Sequence, residues 1–264
     1  MMSAVQTPHL HMNGPMIAGG SGCTLAELAA LPEHRVHSSG LPQLDDVCDG
    51  GIHSGEVWTI AAQSRMGVTA LSTKMAVAAS QTAEVLFVNG HVGTRLLRDS
   101  VVRTAETADW KATTFDRLRL ASWEPQPNWL PETPALHLRC DERQTPFNQV
   151  DIFDTIDEMW IPNYWPATAE DRLQSLRSHR EDSRRKDRSV VLTARVEPGS
   201  DFDSAWQRHW ACAAFTDVAD VQIEMSMQGV DSQLFLYRRG GGSHRFKLDL
   251  DHTRGRVWTS SWPH

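Results

Sequence analysis

The sequence predicts an α/β domain on a largely parallel central sheet, with antiparallel strands added toward the C-terminus. Three observations carry this. Apolar runs of strand length recur at 57–62, 85–89, 118–122, 150–156 and 190–193. Most are near-continuous rather than alternating, as in strands buried on both faces. Helical patterns at 69–80, 94–104 and 169–186 separate several of them, and that alternation is the mark of βαβ units. From residue 221 onward, runs at 221–227, 233–239, 245–251 and 256–260 are separated by turn residues alone, which suits antiparallel neighbours. A chain of 264 residues, 40% of them hydrophobic, fits one large domain with short appendages and can bury a sizeable core.

Residues 1–22 hold Gly, Pro, Ser and His without a basic-then-apolar signal pattern, and read as a flexible tail. Residues 24–31 form a short apolar helix with Thr24 placed to cap it, within a linker spanning 23–38; the main domain is expected from 39 to 264. Residues 41–47 give a second short helix, and Gly50, Gly51 and Gly55 turn the chain into the first long strand. Gly240, Gly241 and Gly242 link two late strands as a hairpin turn. The mixed charges of 177–188 read as a solvated helix face and loop.

Between the strand at 57–62 and the helix from 69 lies Ala61-Ala62-Gln63-Ser64-Arg65-Met66-Gly67-Val68-Thr69-Ala70. This has the outline of a phosphate-binding P-loop, in which a strand turns into a helix whose first N–H groups face an anion. The lysine expected before the threonine is Val68. Ser64, Arg65, Gly67, Val68 and Thr69 are the candidate nucleotide contacts.

A formal net charge of −7 leaves out a strongly basic nucleic-acid footprint for the whole chain, though not a local patch. Cys23, Cys48, Cys140 and Cys212 are scattered without a C-x-x-C pair. They are expected as free thiols in a reducing cytoplasm, with neither a disulfide framework nor a metal site. No run is long and apolar enough to span a bilayer. The ten tryptophans are expected to pack in the core or at interfaces, with base stacking as the alternative.

Gly40-Leu41-Pro42-Gln43-Leu44-Asp45-Asp46, then Gly50-Gly51-Ile52-His53-Ser54-Gly55-Glu56, then the P-loop stretch, resemble the RecA-like motor domain of DnaB-type replicative helicases. That family reads Gly-Phe-x-x-Leu-Asp, Gly-Leu-x-Pro-Gly-Asp/Glu and Ala-Ala-Arg-Pro-x-Met-Gly-Lys-Thr-Ala. The resemblance continues through Val85-Leu86-Phe87-Val88-Asn89, the strand that ends in the family's catalytic glutamate. In Val150-Asp151-Ile152-Phe153-Asp154, Asp154 falls at the magnesium-side aspartate. Ala214-Phe215-Thr216-Asp217-Val218-Ala219-Asp220-Val221 and Leu236-Tyr237-Arg238-Arg239-Gly240-Gly241 complete it. The match covers about 40 to 258, and its weight lies in the order and spacing of the motifs.

The resemblance implies a RecA-like P-loop NTPase fold, and its departures carry the functional expectation. A P-loop lysine contacts the β- and γ-phosphates and offsets developing charge; Val68 does neither, although Lys74 or Arg65 reaching in would compensate. The catalytic glutamate falls at His91, whose neutral imidazole can still accept a proton. The sensor glutamine falls near Ala194 and Arg195, the hairpin lysine becomes Tyr237, and Arg239 takes the place of the arginine finger. The DNA-tracking loops fall at 162–166, which has no basic residue, and 197–203, which carries three acids.

Thr69 and Asp154 either hold a magnesium–nucleotide complex weakly or serve as a helix cap and a strand end. Arg239 is either a finger to a neighbouring subunit or an interface arginine. The expected function is a DnaB-like protein with a degenerate nucleotide site and no hydrolysis, binding ATP and magnesium weakly or not at all. It would work through a protein partner or self-association, in a ring or filament, in replication, recombination or mobile-element biology. The alternatives are an active ATP-dependent helicase with an atypical P-loop and a non-catalytic nucleic-acid-binding protein.

Overall fold

The computed structural model describes residues 35–62, 66–89, 94–107, 117–122, 150–154, 177, 180–181, 183–195, 218–228, 231–251 and 256–261. The tail, the expected helix at 24–31 and both expected DNA-tracking loops lie outside these residues.

Nine strands form one sheet. In chain order the long strands are β3 (Val57–Ala62), β4 (Val85–Asn89), β5 (Leu118–Ser122), β6 (Val150–Asp154), β7 (Ser189–Arg195), β8 (Val221–Gln228), β9 (Asp231–Arg238), β10 (Gly242–Asp251) and β11 (Arg256–Ser261). They lie in the order β11-β10-β9-β8-β3-β7-β6-β4-β5. From β8 to β5 every pairing is parallel. From β8 to β11 every pairing is antiparallel. β7 therefore sits between β3 and β6, an order that the sequence periodicity does not contain.

The parallel strands are apolar because both faces are covered; all six residues of β3 are buried. Trp58 and Ile60 point to the side that also carries Ile223, Leu234, Leu236, Phe246 and Val257. These side chains form one core with Leu41 and Leu44 and with Leu71 and Met75. The first pair comes from helix α1 (Pro42–Val47) and the second from helix α2 (Val68–Ala79). Helix α3 (Thr94–Thr107) packs against α2 and β5 and adds Leu97, Val101 and Ala105 to the same core. Trp58 is wholly buried, with its indole N–H donating to Glu56 at 2.8 Å. Trp258, at 45% exposed, lies outside the core.

Among the described residues the strands expected at 57–62, 85–89 and 118–122 recur unchanged, and other expected elements have shifted ends. The helix expected at 69–80 runs from Val68 to Ala79 and the one expected at 94–104 extends to Thr107. Of the helix expected to reach 186, the described residues are helical to Arg185, and Lys186 and Asp187 form a turn with Asp187 at φ 51°. Gly242 is not loop but the first residue of β10, paired with Arg238. A small ribbon escaped the sequence reading altogether: β1 (Val36–His37) pairs antiparallel with β2 (Ile52–His53). Two-residue strands carry no periodicity to detect. The ribbon demands glycine at Gly51, which holds φ +130°, because a Cβ there would lie 2.4 Å from the His37 carbonyl oxygen.

Candidate nucleotide site

β3 ends at Ala62 and α2 begins at Val68, so the P-loop stretch is a strand–turn–helix connection. Gly67 is the N-cap of α2 in the left-handed conformation, φ 86° and ψ 22°, where a Cβ would cost about 1 kcal/mol. Its carbonyl accepts the first helical bond, from Leu71 N at 3.0 Å. The first-turn N–H groups have no acceptor within the helix. They open at the carboxyl ends of the parallel strands, where ligands bind in open α/β sheets.

Val68 and Thr69 occupy that first turn and are half-buried. Thr69 is not a cap: its carbonyl accepts the Thr73 hydroxyl at 2.7 Å inside the helix. The register brings further residues to the same edge, with Ala62 opposite Arg195 and Asn89 opposite both Asp154 and Ser122. For Asp154 the backbone position alone is described, and it fits the strand end expected of it. Asn89, at the end of the strand thought to lead to the catalytic glutamate, is fully buried. Ser64, Arg65 and His91 lie outside the described residues. Among the described residues no group of three or more His, Cys, Asp or Glu is arranged to hold a metal ion.

Two basic side chains offered by the sequence are placed elsewhere. Lys74 is half-buried on α2, and its Cε lies 3.2 Å from where a Cβ on Gly40 would stand. Burial pushes its pKa down. That position is roughly 10 Å of helix rise beyond Gly67, so the stem lies along the Gly40 turn and not in the first turn. Arg239 is exposed in the β9–β10 turn. Because Arg238 pairs with Val221, and Val221 lies beside Trp58, this turn lies where β3 begins. The length of β3, roughly 17 Å, separates it from Gly67 in the same chain.

That far edge holds an ion-pair network that the sequence reading missed. Asp220 is its centre. Its Oδ2 accepts Val57 N–H at 3.0 Å, and its Oδ1 accepts Arg180 at 3.0 Å and Arg184 at 3.3 Å. Its own N–H donates to Val57 O at 2.8 Å and its carbonyl accepts Arg239 N–H at 2.9 Å. Burial lowers the Arg180 pKa, against Asp220, while Arg184 and Arg239 push it further down. Three separate ion pairs among the described residues are Arg188–Asp151, Arg35–Asp187 and Arg238–Asp49. Arg184, read from sequence as solvated, is exposed and also pairs with Asp220. The only sequence signal was that Asp220 fell inside a motif of the resembled family.

A KaiC-like protein from the hyperthermophilic archaeon Pyrococcus horikoshii OT3 has a similar structure. The TM-score is 0.59 at 10% sequence identity, and the match covers 86% of this chain and 100% of that one. The chain has a RecA-like, KaiC-like α/β fold, with a parallel core and antiparallel C-terminal strands. No protein-family model matches the sequence. No curated protein matches it either. Among the described residues no helix is long and apolar enough to cross a membrane.

Proposed function

We propose that this chain is a DnaB-like module whose nucleotide site no longer hydrolyses. It serves as a structural or regulatory part of DNA replication, recombination or mobile-element biology through protein–protein contact. The observation that carries this reading is Val68 at the first position of α2. The strand, the left-handed glycine and the helix N-terminus of a P-loop are kept, while the position that should carry an ammonium carries an isopropyl group. A phosphoryl-transfer site works almost wholly by positioning and charge stabilisation, so this loss falls on the chemistry more than on the fold. The placement of Lys74 beside Gly40 supports it, since the nearest substitute on α2 is committed elsewhere.

The intact Gly67 cap favours a narrower second reading, in which nucleotide is held by backbone N–H groups without turnover. Calorimetric titration of magnesium-ATP into the native chain and into Val68→Lys separates these readings. No binding by the native chain, with binding gained in Val68→Lys, supports the first. Micromolar binding without hydrolysis supports the second. Robust hydrolysis by the native chain, abolished by Asp154→Ala, overturns both.

A further inference from the structure

The β1–β2 ribbon is held to the domain through a buried imidazole. His37 is 4% exposed. Its Nδ1 lies 3.0 Å from the Thr82 hydroxyl oxygen, just beyond the end of α2. Its Nε2 is buried with no hydrogen-bond partner. The Thr82 hydroxyl is also 3.5 Å from Ala79 O, so it can donate there while accepting the Nδ1 proton. A neutral imidazole suits this setting, with one proton on Nδ1 and a bare lone pair at Nε2. An imidazolium does not, because a second N–H would be buried without an acceptor.

His37 cannot adjust alone. Its backbone pairs with Ile52, and its carbonyl oxygen is packed against Gly51. Two residues upstream, Arg35 O accepts Ser54 N–H at 2.8 Å, and the Arg35 guanidinium holds the Asp187 carboxylate at 2.8 Å. The charged groups around the ring do not welcome a proton. Arg35 opposes it; Asp187, which favours it, is engaged by Arg35. On α1, Asp45 accepts from the Ser38 hydroxyl and the Ser39 N–H. On β2, His53 Nε2 is 2.8 Å from Cys48 O. On α2, Lys74 lies along Gly40.

We infer that His37 is a proton-operated latch: neutral, it docks the β1–β2 ribbon against the end of α2, and protonated, it releases the ribbon. The sign follows from burial, which holds the His37 pKa below the usual 6.5. Docking is fully present above that value and is lost as pH falls through the depressed one. This device is independent of whether nucleotide binds.

Hydrogen exchange of peptides spanning 35–39 and 52–54, each normalised to a β3 peptide in the same sample, tests it at pH 7.5 and 5.5. Relative exchange of the ribbon is expected to rise several-fold at the lower pH in the native protein and to lose that dependence in His37→Gln. Thr82→Val, which keeps the imidazole but removes its acceptor, is expected to raise ribbon exchange at both pH values and to stay pH-dependent. A second readout in the native protein is the nuclear magnetic resonance titration of the His37 ring. Normalised ribbon exchange without pH dependence, the same dependence retained in His37→Gln, or a ring titrating at or above the usual histidine range would each overturn the inference.

Discussion

Asp220→Ala should unfasten the edge at which β3 begins. Two losses add. Val57 N–H, bonded at 3.0 Å to the carboxylate, loses a charged acceptor, which costs about 1–2 kcal/mol. Arg180, with its side chain 17% exposed against 15% for Asp220, is left without this carboxylate. A fully buried pair broken on one side costs about 3–5 kcal/mol, and partial exposure brings this closer to about 2 kcal/mol. Arg184 is 52% exposed and adds well under about 1 kcal/mol after solvent screening. The sum is about 3–4 kcal/mol. With a urea dependence of about 3 kcal/mol/M, the unfolding midpoint should fall by about 1 M, read by tryptophan fluorescence, to which the buried Trp58 contributes. Asp220→Asn keeps an oxygen for Val57 N–H and loses the charge, so it should recover about half of the loss. Arg184→Ala beside Asp220→Ala should show a coupling below about 1 kcal/mol. A midpoint for Asp220→Ala within about 0.2 M of the native chain would refute the assignment of Asp220 as the centre of this network.

Gly51→Ala places a methyl group 2.4 Å from the His37 carbonyl at φ +130° and should cost about 2–4 kcal/mol by thermal unfolding; a loss under about 1 kcal/mol would show that the ribbon yields freely. Leu236→Ala empties a fully buried position in the antiparallel wing and should cost about 2–5 kcal/mol, with a near-neutral result arguing against the core drawn across β9. Burial pushes the Cys48 thiol up to about 12. A thiol reagent at mildly alkaline pH should therefore spare it in the native protein and modify it after denaturation, as read by peptide mapping. Modification of native Cys48 at the denatured rate would contradict its burial.

Of the strands that the sequence marked most clearly, Val57–Ala62 lies at the centre of the sheet and Val85–Asn89 lies next to its β5 edge. Val57–Ala62 and Val85–Asn89 were legible to the residue, because a strand covered on both faces must be apolar throughout and its ends are where polar turns resume. The candidate site was legible as a motif: Gly67 and Val68 stand at the helix start that their spacing implied. Function was less legible, because Val68 at the helix start does not by itself say what the chain does.

The sequence by itself determined the fold class, most element limits to within a few residues and the placing of Val68 at the start of α2, since each depends on near neighbours in the chain. Only the tertiary structure decided the rest. It set β7 between β3 and β6, put Arg239 at the opposite edge from Gly67, laid Lys74 along Gly40, and gathered Arg180, Arg184 and Val57 around Asp220. Asp220 and Val57 are 163 positions apart, and no local pattern encodes such a pair. It forms because burying the sheet brings both to one edge, where the Val57 N–H and the Arg180 guanidinium, both leaving water, require the same carboxylate.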